Sequence, residues 1–169
     1  REKHANWIGS LVVNDQQAGA LMAEGLLALH ATPAPIEILA FSGARNTPSA
    51  TLREAGLQAV LQTHPKVQLR QLVYGEWNRQ RAYEQALSLL QRYPQVRHVW
   101  SANDEMAFGV LQAARELGRQ PGRDLHLTGL NNSSALFQAY RAGEIEVLVT
   151  GHFTLGAWAL VMLLYNATS

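Results

Sequence analysis

Short apolar runs recur along the chain at a nearly constant interval, and the first four begin about 30 residues apart. They occupy residues 36–41, 67–73, 96–101, 125–130 and 145–150. The segments between them repeat apolar residues every three or four positions, which is the spacing of one helix face. Strands that alternate with such helices are typical of βα units around a parallel sheet. The pattern therefore predicts an α/β fold, a three-layer sandwich with a mainly parallel five-stranded sheet in the order 2-1-3-4-5.

Five helices can be delimited from the apolar spacing. They are predicted at residues 16–30, 49–63, 79–92, 105–117 and 155–165. In the second of these helices the spacing selects one face to pack against the sheet. The selected residues are Leu52, Ala55, Gly56, Ala59 and Val60.

The last predicted helix differs from the others because no residue from Leu155 to Tyr165 is charged or strongly polar. It is far too short to cross a bilayer. A helix that is apolar on all sides needs cover on all sides, so we interpret it as a core helix with a partner surface outside this sheet. Where that partner is missing, we expect self-association through the segment between Phe153 and Tyr165.

Composition narrows the possible functions. A chain of 169 residues with 47% hydrophobic residues suits one ordinary domain. The formal net charge is only +1 and no basic stripe is present, which argues against nucleic-acid binding by this domain. The absence of cysteine excludes disulfides, thiolate metal sites and a cysteine nucleophile.

Polar side chains follow each predicted strand, where an open parallel sheet binds its ligands. These segments are residues 42–48, 74–78, 102–106, 131–134 and 151–154. They offer amides, hydroxyls, arginine and aromatic rings. Amides both donate and accept hydrogen bonds, a guanidinium can hold two neighbouring hydroxyls, and an indole can cover the C–H face of a sugar. This set of groups favours a polyhydroxylated ligand.

Other chemistry has no support in the sequence. There is no glycine-rich loop with lysine and no GxGxxG after the first strand, which argues against bound phosphate or a dinucleotide cofactor. No two histidines have metal-site spacing, so we expect no metal. No Ser–His–Asp set or carboxylate pair stands at the strand ends. We therefore expect a ligand-binding module without a cofactor, rather than an enzyme.

Each candidate residue also has a structural interpretation. Arg53 fits a solvated helix arginine, and Trp77 fits a loop aromatic that closes the edge of the core. Asn103 and Asp104 stand where a helix N-cap belongs, and residues 131–134 fit a cap and turn. Spacing alone leaves both interpretations open.

The segment from Asn103 to Gly109 reads NDEMAFG, and it resembles a segment of type I periplasmic sugar-binding proteins, the ribose-binding type. Lactose-repressor-type effector domains share it. Weaker matches follow in the family's order, so that the resemblance spans residues 8–165. They lie at residues 14–19, 53–57, 127–131, 142–145 and 155–157.

The resemblance implies the C-terminal lobe of a hinged clamp, with the fold of a type I periplasmic binding protein lobe. Residues 1–13 would end the N-terminal lobe and make the first hinge crossing. Residues 14–150 would form the ligand-binding lobe. Residues 151–169 would make the return crossing and contribute a helix to the N-terminal lobe, the rest of which the chain lacks.

Family binding residues carry over onto six positions. Arg53, Asn103 and Asn131 match polar sugar contacts, Trp77 matches an aromatic that stacks on the sugar, and Thr150 or Gly151 matches a contact at the return hinge. Two departures put a ribose-like or galactose-like ligand in doubt. Asn131 replaces the family's usual acid, and the usual glutamine near the hinge is absent from the stretch that begins Thr150-Gly151.

The function implied is that of the periplasmic solute-binding component of an ABC importer, which would deliver a small polar solute to a membrane permease. One alternative is the extracytoplasmic sensor domain of a signalling receptor. Another is the effector-binding domain of a lactose-repressor-type transcription regulator. A signal peptide, a membrane helix or a helix-turn-helix elsewhere in the protein would distinguish the three.

Overall fold

The computed structural model describes residues 12–29 and 35–168. Helices and strands alternate throughout this part of the chain. They are α1 (Asp15–Ala28), β1 (Ile36–Ser42), α2 (Pro48–Thr63), β2 (Val67–Tyr74), α3 (Arg79–Arg92), β3 (His98–Ser101), α4 (Asp104–Glu116), β4 (His126–Leu130), α5 (Ser134–Arg141), β5 (Val147–Val149) and α6 (His152–Thr168).

The five strands form one parallel sheet in the order β2-β1-β3-β4-β5, which confirms the predicted fold class and strand order. Ile38 of β1 pairs with His98 of β3, which in turn pairs with His126 of β4. Because all strands run the same way, their carboxyl ends meet at one edge of the sheet.

Helices cover both faces of the sheet. α1 packs against α2, and α3 packs against α4. Every residue of β3 and β4 is buried, as a parallel sheet enclosed between two helical layers requires. The edge strand β2 instead alternates half-buried with exposed residues in its first half, where Gln68 and Arg70 face water. Such polar residues on an edge strand discourage pairing with another chain.

α1 and α2 cross at two glycines that allow their backbones to touch. A Cβ atom added at Gly19 would lie 2.1 Å from the carbonyl oxygen of Arg53. One added at Gly56 would lie 2.0 Å from the carbonyl oxygen of Gln16. Neither position has room for a side chain, so the close crossing depends on both glycines.

The predicted buried face of α2 was partly wrong. The buried residues of α2 are Ala50, Arg53, Gly56, Leu57 and Val60. Leu52 is 41% exposed, although the apolar spacing placed it inside. The apolar spacing does not reveal this buried face, because it contains an arginine and because part of it packs against α1.

α5 was not delimited by the apolar pattern, since its eight residues bury only Leu136 and Ala139. α4 and α5 each end two residues before a glycine. Gly118 and Gly143 follow these helices with φ of +73° and +71°, a conformation that favours glycine.

α6 exposes large apolar side chains, so it is not a core helix of this lobe, and its interpretation as a helix that needs an outside partner stays a prediction. Six described side chains are at least half exposed: Leu155, Trp158, Val161, Met162, Leu164 and Tyr165. Within residues 12–29 and 35–168, no helix combines the length and the apolar character needed to cross a membrane.

Candidate functional site

Hydrogen bonds between neighbouring loops extend the sheet beyond its carboxyl edge. The amide of Gly75 donates to the carbonyl of Ser42 at 2.8 Å, and that of Ala102 donates to Phe41 at 2.9 Å. At the far side the amide of Asn131 donates to the carbonyl of Val149 at 3.3 Å. The loops that carry the predicted site residues are therefore in direct contact along one edge.

Arg53 is a buried residue of this edge, with 8% of its surface exposed, which contradicts its interpretation as a solvated helix arginine. Its Nε donates to Oδ1 of Asp15 at 2.7 Å, and its Nη1 donates to the carbonyl of Ala102 at 2.7 Å. Nη2 makes no hydrogen bond within the part of the chain that the structure describes. The guanidinium thus joins α1, α2 and the β3–α4 loop.

Trp77 packs flat against Gly43, so that a Cβ atom there would lie 2.0 Å from Cζ2 of the indole. Its φ is +59° and that of Glu76 is +55°, a left-handed pair that costs on the order of 1–3 kcal/mol per residue. The guanidinium carbon of Arg53 lies 5.4 Å from the Trp77 ring centre, within cation–π range. Trp77 is half-buried against the core, so the core-edge interpretation also holds.

Asn103 caps α4, which confirms its structural interpretation. Its Oδ1 accepts a hydrogen bond from the amide of Met106 at 3.0 Å. Asn103 directly follows Ala102, whose carbonyl accepts the hydrogen bond from Arg53. Only the oxygen of the amide is used by the cap.

Asp104 ties the start of α4 to the β4–α5 loop. Its Oδ1 accepts from Nδ2 of Asn131, and its Oδ2 accepts from Oγ of Ser133 at 2.8 Å. Asp104 as a whole is 3% exposed. Ser133 also caps α5 by accepting from the amide of Leu136 at 3.2 Å, which confirms a cap and turn at residues 131–134. Asn131 has φ of +150°, which few residues other than glycine adopt.

Thr150 and Gly151 follow β5 at the same edge. Thr150 is exposed, and Gly151 has φ of +89°. The carbonyl of Gly151 accepts the first hydrogen bond of α6, from the amide of Leu155 at 3.0 Å. The structure thus brings the six predicted positions to one edge, while their part in binding stays a prediction.

Sequence reasoning missed a second group of side chains at this edge. Glu54 accepts from Oγ of Ser42 at 2.5 Å and from the hydroxyl of Tyr74 at 3.4 Å. The guanidinium carbon of Arg45 lies 4.3 Å from the Tyr74 ring centre. Glu54 adjoins Arg53 in the sequence, but its partners come from β1 and β2. Only the strand order could have predicted them.

Three charged side chains at this edge, Arg53, Glu54 and Asp104, have hydrogen-bond partners within the protein. Arg53 pairs with Asp15, while the carboxylates of Glu54 and Asp104 accept from hydroxyls and an amide. In the described ranges, no three histidine, aspartate or glutamate side chains are grouped to hold a metal ion. The arrangement can hydrogen bond to a polar ligand and stack against it.

A parallel sheet with polar loops at its carboxyl edge defines a class of ligand-binding lobes, and comparison with known families identifies which one. The model of the periplasmic binding protein domain family matches residues 8–169. The chain therefore belongs to this family. The match confirms both the predicted family and the prediction of a binding module rather than an enzyme.

Particular relatives narrow the comparison. A periplasmic sugar-binding protein from Pseudomonas fluorescens, solved by crystallography, is 57% identical with a TM-score of 0.89, over 95% of this chain and 50% of that one. The D-apiose import binding protein of Actinobacillus succinogenes is 25% identical over 80% of this chain and 42% of that protein. The lactose operon repressor of Klebsiella pneumoniae is 28% identical over 55% of this chain and 26% of that protein. The chain thus spans half or less of the length of each.

Proposed function

We propose that the chain is the C-terminal lobe of a periplasmic solute-binding protein, which holds a sugar in a hinged cleft and delivers it to the permease of an ABC importer. The observation that carries the proposal is the convergence of Arg53, Trp77, Asn103 and Asn131 at one sheet edge in a chain of this family. Two of the relatives above are named as a sugar-binding and an import binding protein.

Each residue has a role that its contacts support. Arg53 offers Nη2 to ligand hydroxyls while Asp15 and Ala102 hold its other nitrogens. Trp77 would cover the C–H face of the ring, and Asn103 and Asn131 would bind hydroxyls. Thr150 and Gly151 would contact the ligand at the return hinge.

The division of the chain belongs to the same proposal. Residues 14–150 form the ligand lobe, residues 1–13 lead in from the N-terminal lobe, and residues 151–169 lead back to it. The exposed apolar side chains of α6 support this division, because they need cover that the described sheet does not give.

A second candidate is the effector-binding domain of a transcription regulator, and the similarity to a lactose operon repressor favours it. A third is the sensor domain of a receptor, for which the structure gives no separate support. Both alternatives assume the same sugar-binding site. They differ in the partner that responds to the bound sugar.

The proposal is tested by calorimetry on the full-length protein against aldoses, with D-apiose and D-allose as the first probes. We expect one of these sugars or a related aldose to bind, and Asn131→Ala to weaken that binding about tenfold, as loss of a hydrogen bond near 1.4 kcal/mol would do. Asn132→Ala is the matched control, because Asn132 is the exposed neighbour of Asn131. Absence of binding to every aldose, or equal loss in both variants, would refute the proposed site.

A further inference from the structure

Asn103 and Asn131 are the two side-chain amides of the proposed site. The protein bonds to the oxygen of the first amide and to the nitrogen of the second. Asn103 accepts through Oδ1 from the backbone amide of Met106. Asn131 donates through Nδ2 to the carboxylate of Asp104. Both partners, Met106 and Asp104, belong to the first turn of α4.

The chemistry of the partners settles which end of each amide faces inward. A backbone N–H can only donate, so the oxygen of Asn103 must face Met106, and its NH2 group has no hydrogen-bond partner among the described residues. An ionised carboxylate can only accept, so the NH2 group of Asn131 must face Asp104, and its oxygen has no hydrogen-bond partner in the part of the chain that the structure describes. The two amides therefore present opposite hydrogen-bonding character.

Asp104 is itself held in place by its surroundings. Its Oδ2 accepts from Oγ of Ser133 at 2.8 Å, and its Oδ1 accepts from the amide of Glu105 at 3.0 Å. It stands in the first turn of α4, where the helix dipole favours a negative charge. With 3% of its surface exposed, it has little freedom to turn toward water.

We propose that Asp104 is a positioning residue that locks the Asn131 amide with Oδ1 as an acceptor, so that the ligand must present a hydrogen-bond donor to Asn131. This rests on the proposed function, since it assumes that the ligand occupies the same edge. Asn103 presents its NH2 group and so takes an acceptor. Together the two side chains select a ligand that donates a hydrogen bond to Asn131 and accepts one from Asn103. Amides that were free to turn over would not impose this order.

The orientation of Asn131 can be measured without ligand, by NMR of the ¹⁵N-labelled full-length protein. The side-chain NH2 signal of Asn131 is identified by its loss in Asn131→Asp. We expect its protons to exchange with water at least about tenfold more slowly than those of the exposed Asn132, as hydrogen bonding slows exchange. Asp104→Asn should remove most of this protection, while the matched control Glu105→Gln should preserve it. Equal exchange at Asn131 and Asn132 in the unmodified protein would overturn the proposal.

The consequence for the ligand is measured by calorimetry, with D-allose and its singly fluorinated analogues as probes. Fluorine cannot donate a hydrogen bond, so we expect one position at which it weakens binding about tenfold. Asp104→Asn can let the Asn131 amide reverse, and it should reduce this selectivity at least about threefold. A merely structural role would weaken all analogues equally, and that outcome would overturn the proposal. If no aldose binds, the proposed function fails, and the NMR result still decides the orientation of Asn131.

Discussion

Arg53 has a proposed role in ligand binding and a second role in stability. The second role arises because its bonded nitrogens tie parts of the lobe together. It pairs with Asp15 and donates to Ala102, so its removal leaves a partly buried carboxylate and a carbonyl without their partner. We expect Arg53→Ala to lower the free energy of unfolding by roughly 3 kcal/mol, the lower end for a broken buried pair. Denaturant unfolding of the full-length protein measures this loss, and calorimetry should show weaker binding of the same sugar.

Arg45→Ala is the matched control for Arg53→Ala. Arg45 is exposed over the ring of Tyr74, and such surface substitutions change stability by less than about 0.5 kcal/mol. Equal unfolding free energies for the two variants would mean that Arg53 is a solvated arginine after all.

Gly43 determines where the indole of Trp77 lies. Gly43→Ala would place a methyl group 2.0 Å from Cζ2, so the ring has to move away from the edge. We expect about tenfold weaker sugar binding, and a smaller change of indole fluorescence on binding, because a displaced ring loses its stacking contact. Trp77→Ala should remove both signals.

A control variant distinguishes the effect of a displaced indole from the effect of a less stable lobe. Gly118→Ala strains the cap of α4, at the end of that helix opposite Asn103, because Gly118 has φ of +73°. It should lower stability without changing affinity. Retention of full affinity in Gly43→Ala would show that the position of the indole is unimportant.

The sequence predicted the type and place of the candidate site residues, but not the residues that they contact. Asparagines and an arginine at strand ends are visible because the strand pattern locates the carboxyl edge. The pairing of Arg53 with Asp15 joins positions 38 residues apart, and it follows from a helix crossing that spacing does not encode. The burial of Arg53 was missed for the same reason.

Among the helices and strands, those with the more continuous apolar residues in the sequence were predicted better. β3, β4 and most of β1 are buried, so each appears in the sequence as a short and largely apolar run, although polar residues such as Glu37 and Thr128 interrupt it. α5 has only two buried residues, which is too few to establish a helical period. β3 starts at His98, later than predicted, since Val96 is buried but belongs to the turn after α3.

α6 carries the prediction of self-association. Trp158 and Met162 are 68% and 55% exposed on this helix, and an apolar patch of that kind promotes association when its partner lobe is missing. We expect the chain of residues 1–169 to form oligomers, and Trp158→Glu with Met162→Lys to shift it toward monomer. Sedimentation velocity at several concentrations measures the change.

Gln58→Glu adds a charge to an exposed position of α2 and serves as the control. It should leave the association unchanged. A chain that sediments as a monomer at high concentration would contradict the interface between Phe153 and Tyr165, and it would weaken the proposal of a missing lobe.

For the whole molecule, the proposal of a two-lobed cleft predicts that residues 1–169 alone bind sugar weakly. One sheet edge supplies only part of the polar contacts and excludes little water, whereas ligand sites bury most of the ligand surface. Calorimetry with the same aldose should give an affinity at least about a hundredfold lower than for the full-length protein. Equal affinities would mean that the edge described here is a complete site.

The pairing of Arg53 with Asp15 also bears on how fast a ligand arrives. Because the charges of Arg53 and Asp15 cancel within a few ångströms, their combined field fades well inside the Debye length of about 8 Å at physiological salt. For a charged solute this pairing weakens electrostatic steering, and an uncharged sugar is not steered in any case, so its encounter with the edge proceeds by free diffusion. Stopped-flow association rates should stay level as the salt concentration is raised. The ligand would then be captured equally fast at low and at high salt.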